Sequence, residues 1–280
     1  MRGLGFLGFC NLTCIACAAI SPPAGEPDLE ALLADPEARV MWVGAHPDDE
    51  ALAGPLLARA CVGLGRPCLM FVMNRGDGGE CLLPEGCRPD LGAVRAQELR
   101  LVAAAYGAEL HHHRYWNAPL PMSSFPPRPE IGARWIAQGD PTDRLVQVIE
   151  RFRPTILLTF DPNHGFTGHP EHQLASRFAT AAVRRAQVQP RVYHLLNRIW
   201  ITQVMGADPG EPTETFDTHV SCGPVGRSCL DVALQISRAH RTQRGDMGRV
   251  RSLRPQFGQV YLRRIDPQDL AQAPEPLSAR

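Results

Sequence analysis

The sequence of 280 residues contains no lysine, so its 29 basic residues are all arginines. Without lysine the chain cannot form the Schiff bases of pyridoxal enzymes, and it cannot supply the lysine of a nucleotide-binding P-loop. A surplus of charge is also missing, because 29 acidic residues balance the arginines. No net field draws the protein toward nucleic acid or an anionic membrane, and no nucleic-acid partner is expected.

Two catalytic patterns are absent as well. There is no G-x-S-x-G element, which leaves a serine hydrolase without support. The six cysteines beyond residue 20 include no C-x-x-C spacing, so a cysteine-rich metal site is not indicated. They form three close pairs, and local disulfides are expected if the chain is exported. The predicted bridges are Cys61–Cys68, Cys81–Cys87 and Cys222–Cys229, and turn-forming residues favour the last two.

The N-terminal segment has the pattern of a secretory signal. Arg2 precedes an apolar run that ends at Ile20 before a Ser-Pro-Pro sequence, which predicts a signal peptide over residues 1–20. A membrane span is less favoured, because the run is short and contains polar residues, so no transmembrane segment is expected in the mature chain. The protein is therefore expected to be periplasmic, secreted or associated with the cell envelope. Cys17 is an alternative lipid-attachment cysteine, which would make the protein a lipoprotein.

Strand and helix patterns alternate along the rest of the chain. Apolar runs at Val40–Val43 and Cys68–Met73 predict strands, and the near-continuous run Thr155–Phe160 predicts a strand that is covered on both faces. Helical patterns separate them, so we expect an α/β, Rossmann-like layered fold with a largely parallel sheet flanked by helices. Ligands should then bind beyond the carboxyl ends of the strands. The length favours one domain over residues 39–265, with an N-terminal linker at 21–38 and a loose C-terminal tail at 266–280.

Two short motifs carry the residues suited to chemistry: His46-Pro47-Asp48-Asp49-Glu50 and His169-Pro170-Glu171-His172. Proline suits the first position of a helix, so each motif is expected to form a first helical turn with histidine at its boundary. Two histidines and one carboxylate, with a position left for water, are what a catalytic zinc site needs. The predicted ligands are His46, Asp49 and His172. Alternatively, the acids only complement a helix dipole, but this leaves the histidines unexplained.

The two motifs together resemble the PIG-L/LmbE family of metal-dependent N-deacetylases. The resemblance rests on Gly44-Ala45 before the first motif and Gly168 before the second. Arg95-Ala96-Gln97-Glu98 is similar to the family's R-x-x-E helix, and residues 239–243, Ala-His-Arg-Thr-Gln, are similar to its A-x-H-x-S-Q segment. The resemblance covers about residues 39–241 and implies an LmbE-like fold.

The resemblance also implies an activity. It indicates removal of an acetyl or other acyl group from an amino sugar, such as an N-acetylglucosaminyl glycan or glycolipid. Zn²⁺ would be held by the three predicted ligands, and Fe²⁺ accepts the same ligands. Asp48 is the implied general base, and a protonated His169 would stabilise the tetrahedral intermediate. Two alternatives stay open: a non-catalytic carbohydrate-binding protein on the same fold, and a zinc amidase acting on another amide.

Substrate contacts are predicted at Arg95 and Asn117. Arg95 could instead pair with Glu98 across one helix turn. Asn117 lies where many relatives carry an aspartate, which would alter sugar selectivity. Glu171 also replaces a common aspartate, and it is expected to support the site or the helix start.

Overall fold

The computed structural model describes residues 27–198, 207–223, 226–245, 247–248 and 258–278. The predicted signal peptide and Cys17 lie outside the described residues. Within those ranges, no helix has both the length and the hydropathy needed to cross a bilayer.

Seven strands form one sheet. They are β1 Val40–Gly44, β2 Cys68–Val72, β3 Glu109–His112, β4 Ile156–Phe160, β5 Arg191–Leu196, β6 Glu214–Asp217 and β7 Gln259–Ile265. The strand order is β3-β2-β1-β4-β5-β7-β6. The first five strands in this order are parallel, and β7 is antiparallel to both β5 and β6. The largely parallel α/β sheet predicted from the alternating patterns is confirmed.

Helices cover both faces of the sheet. They are α1 Leu29–Ala34, α2 Gly54–Leu57 with a π-helical continuation over Ala58–Gly63, α3 Leu91–Tyr106, α4 Arg128–Ala137, α5 Pro141–Phe152, α6 Gly165–Gly168, α7 Pro170–Arg185, α8 Cys229–Ile236 and α9 Pro267–Gln272. Because side chains alternate along a strand, Val40 and Trp42 pack with α1, α2, α3 and α8, whereas Met41 and Val43 pack with α4, α5 and α7. Strands β1, β2 and β4, which lie between these layers, are buried on both faces.

The two ends of the described chain differ from the sequence prediction. The predicted linker contains α1, whose Leu29 and Leu33 are buried in the core because they lie one helical turn apart on the same face. The predicted loose tail contains α9, and Arg177 donates hydrogen bonds to the carbonyl and hydroxyl oxygens of Ser278. Helices α1 and α9 therefore belong to the packed domain.

The cysteine pairs have different states in the structure. Cys61 and Cys68 are joined with their Cα atoms 5.8 Å apart, and Cys81 and Cys87 are joined with theirs 6.0 Å apart. The predicted Cys222–Cys229 bridge is not formed, and both residues are buried free thiols. An antiparallel bridge between Ser221 and Ser228 brings them together, but their sulfur atoms share a hydrogen bond instead of a covalent bond.

Candidate metal centre

Both histidine motifs follow carboxyl ends of adjacent parallel strands. The first begins directly after β1, and the second follows β4 through a loop and the short helix α6. Strand β1 lies between β2 and β4, so the chain leaves it on one side and returns on the other. Such a reversal of strand order opens a crevice at the carboxyl edge of a sheet. The fold therefore brings the two motifs to one place.

The first motif forms a tight turn, so the predicted helical turn is wrong there. Asp48 has a left-handed backbone with φ of 109°, and a short 3₁₀ helix follows over Asp49–Ala51. The carboxylate of Asp49 accepts the backbone N–H groups of Ala45 and His46 at 2.7 and 2.8 Å. The Asp49 side chain thus satisfies these two donors, and the backbone forms a turn in place of the first turn of an α-helix.

The second motif begins a helix, as the sequence predicts. His169 is the N-cap of α7, Pro170 is its first residue, and His169 Nδ1 accepts the backbone N–H of Glu171 at 3.2 Å. His172 follows within the first turn and is buried. The helix start therefore aims His172 back at the end of β1.

Three predicted ligand groups meet in the crevice. His46 Nδ1 lies 3.1 Å from His172 Nε2, and His172 Nε2 lies 3.0 Å from an Asp49 oxygen. The other Asp49 oxygen lies 3.6 Å from His46 Nδ1. Neighbouring ligands of a tetrahedral ion bound at about 2.0–2.1 Å are roughly 3.3–3.4 Å apart. The spacing of the three groups therefore fits a divalent cation.

The far nitrogens of both imidazoles are already occupied. His46 Nε2 lies 2.6 Å from Glu171 Oε2, and His172 Nδ1 lies 2.7 Å from the carbonyl oxygen of Gly165. Each far nitrogen must donate its proton to such an acceptor, which leaves lone pairs on the two nitrogens that face each other. Two facing lone pairs need a proton or a metal ion between them.

A proton fills this role in the metal-free protein. Burial would lower the pKa of His46, but the carboxylates of Asp49 and Glu171 outweigh burial and raise it to about 10. The same two carboxylates would stabilise a divalent cation in place of that proton. The donor set thus fits a metal ion on its own chemistry.

Glu171 is the support behind His46. Its side chain is fully buried. Besides the imidazole, it accepts hydrogen bonds from Asn74 Nδ2 at 3.0 Å, Asn117 Nδ2 at 2.8 Å and the backbone N–H of Ala118 at 2.7 Å. A buried carboxylate is stable only when its oxygens are so satisfied. Glu171 therefore fixes both the tautomer and the orientation of His46, which agrees with its expected supporting role.

Asp48 precedes Asp49 at the left-handed position of the turn. It is part-buried, and its backbone N–H donates to Glu50 Oε2 at 3.1 Å. Loss of hydration, together with the charge of Asp49, raises the pKa of Asp48 to about 7, although His240 and Arg95 oppose the shift. A carboxylate with a pKa near the working pH suits transfer of a proton in either direction.

His169 stacks on His172 and meets His46 edge-on, with its ring centroid 4.7 Å from each of theirs. Nitrogen atoms of all three imidazoles lie within 4.8 Å of one another. Because Nδ1 of His169 accepts a backbone N–H, its proton is on Nε2. Burial and the two neighbouring histidines hold the pKa of His169 well below its usual value. The structure therefore has a neutral His169, in contrast to the protonated form expected from the sequence.

The two predicted substrate contacts have protein partners. The buried guanidinium of Arg95 donates to the carbonyl oxygen of Gly76 at 3.0 Å. Asn117 accepts the backbone N–H of Gly78 at 2.6 Å and donates to Glu171. Both residues order the loop beside the centre, and their contact with substrate stays a prediction.

Sequence reasoning missed the role of Glu50 and His240. Glu50 Oε1 lies 2.7 Å from His240 Nε2, and both side chains are buried. Gln243 Nε2 donates to the carbonyl oxygen of Pro47 at 2.7 Å. Residues 239–243 thus support the turn around Asp48 through the contacts of His240 with Glu50 and of Gln243 with Pro47. The A-x-H-x-S-Q resemblance marks this segment, but only the structure shows what it contacts.

Comparisons with known proteins agree with these motifs. The family described as PIG-L, GlcNAc-PI de-N-acetylase, matches residues 41–183, just over half of the chain. A 1D-myo-inositol 2-acetamido-2-deoxy-alpha-D-glucopyranoside deacetylase of Actinosynnema mirum is 28% identical over 231 residues, which cover 73% of this chain and 80% of that protein.

Two solved structures share the fold. N,N'-diacetylchitobiose deacetylase from Pyrococcus horikoshii has a TM-score of 0.56 at 15% identity and covers 85% of each chain. GalB, the 4-carboxy-2-hydroxymuconate hydratase of Pseudomonas putida KT2440, has a TM-score of 0.56 at 18% identity, over 82% of this chain and 97% of that one. These two proteins are named for different reactions. The fold alone therefore does not determine the reaction, which must be inferred from the residues of the site.

Proposed function

This chain belongs to the PIG-L family, and from that membership we propose an exported, zinc-dependent hydrolase that removes the N-acetyl group of an N-acetylglucosaminyl glycan or glycolipid. The broader activity is that of a metal-dependent N-deacetylase for N-acetylated amino-sugar substrates. Zinc, export and the choice of glycan are the parts that we propose.

The meeting of His46, Asp49 and His172 is the observation that carries the proposal. Two imidazole nitrogens and one carboxylate, 3.0–3.6 Å apart, leave room for a fourth ligand. Nitrogen and oxygen ligands in this number are typical of catalytic zinc sites, and Fe²⁺ accepts them as well. Zinc is proposed because it favours four-coordinate geometry.

Each residue of the centre has a defined task in this proposal. His46, Asp49 and His172 would hold a divalent cation, which would supply polarisation of the acetamide carbonyl and a lowered pKa of water. Asp48 accepts the proton of the attacking water and then delivers it to the nitrogen of the leaving amine. Neutral His169 donates its Nε2–H to the oxygen that gains charge, since a histidine at a helix N-terminus acts as a donor without being protonated.

Export is proposed from the leader pattern of residues 1–20 and from the cysteines that lie close enough to bond. Fractionation of cells that produce the full chain tests it. Recovery outside the cytoplasm with a shortened N-terminus supports export, and an intact chain in the cytoplasm contradicts it.

Acetate release tests the enzymatic proposal. A panel of N-acetylglucosamine-containing glycans and glycolipids is incubated with the enzyme, with and without a chelator, and the metal content is measured in parallel. Chelator-sensitive release supports the proposal and begins to identify the glycan. Metal binding with turnover of other amides alone favours the amidase, sugar binding without turnover favours the carbohydrate-binding protein, and absence of bound metal contradicts the metal site.

A further inference from the structure

A small cavity of about 150 Å³ is lined mainly by basic side chains. Among the described residues its lining consists of three arginines, one histidine and two apolar side chains, with no acid: Leu83, Pro84, Arg238, His240, Arg241 and Arg244. We call it the arginine cavity. Guanidinium groups bind oxyanions through paired N–H donors, so this lining favours an anionic ligand.

The walls of the arginine cavity are held in place by the chain itself. One wall belongs to the loop that the Cys81–Cys87 disulfide closes, and the backbone N–H of Leu82 donates to the carbonyl oxygen of Thr242 at 3.2 Å. The other wall is residues 237–243, which form two short 3₁₀ helices. Buried Glu98 accepts the backbone N–H and the hydroxyl of Thr242 at 2.9 and 2.6 Å. The lining is therefore ordered before a ligand enters, which lowers the entropy cost of binding.

Two of the three arginines have no acidic partner. Arg241 Nη2 lies 2.9 Å from a carboxylate oxygen of Glu85, so the charges of this pair cancel. Arg238 and Arg244 are exposed, and within the described ranges their side chains form no hydrogen bond or ion pair. Two positive charges are thus left for a ligand, and a phosphate group carries nearly two negative charges at neutral pH.

His240 adds a buried donor to the lining. It is 1% exposed, its Nε2 lies 2.7 Å from Glu50 Oε1, and its Nδ1 has no hydrogen-bond partner in the described part of the chain. Burial lowers the pKa of His240, but the surrounding carboxylates, Glu50 foremost, outweigh burial and raise it above its usual value. A protonated imidazole has an N–H on both nitrogens. Because a buried N–H without an acceptor is costly, an anion in the cavity would supply the partner that Nδ1 lacks.

The arginine cavity is connected to the turn that holds the proposed base. One oxygen of Glu50 contacts His240, and the other accepts the backbone N–H of Asp48 at 3.1 Å. Two consecutive hydrogen bonds therefore join the cavity wall to Asp48. None of the three predicted metal ligands lines the cavity, so it is a separate site beside the metal centre.

We propose that the arginine cavity binds a phosphate group, with Arg238, Arg244 and the Nδ1–H of His240 donating to its oxygens. The phosphate is either a substituent of the acetylated sugar or free inorganic phosphate. The binding site itself does not depend on the deacetylase proposal, and only the assignment to a substituent of the substrate rests on that proposed function.

Calorimetry with inorganic phosphate tests the cavity directly. The double variant Arg238→Gln/Arg244→Gln of the full, zinc-loaded chain is compared with Arg114→Gln/Arg153→Gln, in which two exposed arginines outside the lining are changed. Both variants lose the same charge, and the ionic strength is kept constant. We expect the first variant to bind phosphate at least about tenfold more weakly than the second, because two charge-assisted contacts are lost.

Retained melting temperature and metal content show that both variants are folded. Equal affinity in the two variants would overturn the proposal, since phosphate would then be held by the metal ion or by non-specific charge. Failure of the native protein to bind phosphate would overturn it as well.

The source of the phosphate is tested with two sugars, N-acetylglucosamine 1-phosphate and N-acetylglucosamine. A substituent of the substrate predicts a lower KM for the phosphorylated sugar in the native enzyme, and this difference should disappear in Arg238→Gln/Arg244→Gln. Free phosphate predicts equal KM values, with binding of inorganic phosphate still lost in that variant. A preference for the phosphorylated sugar that persists unchanged in the variant contradicts the proposal. If neither sugar is turned over, the deacetylase proposal fails for these substrates, while calorimetry still decides whether the cavity binds phosphate.

Discussion

The two His-Pro motifs carry similar residues, but their acids serve opposite purposes. In the first, Asp49 faces the imidazoles of His46 and His172, the two predicted histidine ligands, and Asp48 precedes it in the chain with its pKa raised. In the second, Glu171 is fully buried behind His46 and accepts hydrogen bonds from all sides. Asp48 and Glu171 each follow a proline, yet Glu171 supports His46, whereas Asp48 is the residue that we propose to transfer a proton. Position in a motif therefore does not determine a role, because the local backbone decides where the side chain points.

The largest expected effect separates these two acids. Asp48→Asn should reduce acetate release by about 10²–10⁴-fold, since the amide cannot accept a proton, while leaving bound metal unchanged. Steady-state rates and elemental analysis of the same preparation measure both. Loss of metal together with activity would show that Asp48 is a ligand, and the contrast with Glu171 would fail.

The second change addresses the supporting acid. Glu171→Gln should weaken metal affinity by about 10–100-fold, because a neutral amide oxygen is a weaker acceptor for the Nε2–H of His46 than a carboxylate is. Glu171→Asp keeps the charge and is the matched control, expected to stay closer to the native affinity. Competition with a chelator gives the affinities. Unchanged affinity in the glutamine variant would contradict the supporting role.

The third effect is a pH dependence of metal binding. Because the pKa of His46 is raised to about 10 in the metal-free protein, a metal ion must displace its proton at neutral pH. At pH values below about 10, apparent affinity should therefore increase about tenfold for each unit by which the pH is raised, with about one proton released per ion. Calorimetry in buffers of different ionisation enthalpy counts the protons. Binding without proton release would place the metal away from His46.

The smallest effect concerns Asn117. Removing its amide in Asn117→Ala leaves Glu171 and Gly78 each without one partner, which should lower the free energy of unfolding by about 1–3 kcal/mol. Asn163→Ala is the control, because Asn163 is exposed. Urea unfolding compares them. A change in KM at saturating metal, without loss of stability, would favour the substrate contact predicted from the sequence.

Local patterns predicted the central strands well. Strands β1, β2 and β4 are continuous apolar runs, and their burial on both faces follows from helices on either side. Strand β6 has mixed side chains and owes its conformation to pairing with β7, more than 40 residues away, so no local pattern indicates it. Helix α1 did carry a local signal, in the N-cap Asp28 and the spacing of Leu29 and Leu33.

The candidate site was predictable in its residue types but not in its geometry. The two histidine motifs indicated the ligands, the family resemblance implied the same three, and the structure brings His46, Asp49 and His172 together. The turn at Asp48 was not foreseen, because Asp49 captures backbone donors that a helix would have used. Nor could the sequence show that Glu171 supports His46, since 125 residues separate them.

The strand order has a consequence for how the chain reaches its native state. Strand β5 is followed in sequence by β6, but β7, later still, is the strand that occupies the place between them. Until residues 259–265 have been synthesised and paired, one edge of β5 presents unpaired backbone groups. An open edge of this kind can pair with strands of other molecules. A nascent or truncated chain lacking β7 would therefore be prone to aggregate through β5, even though every residue of the metal centre had already been synthesised.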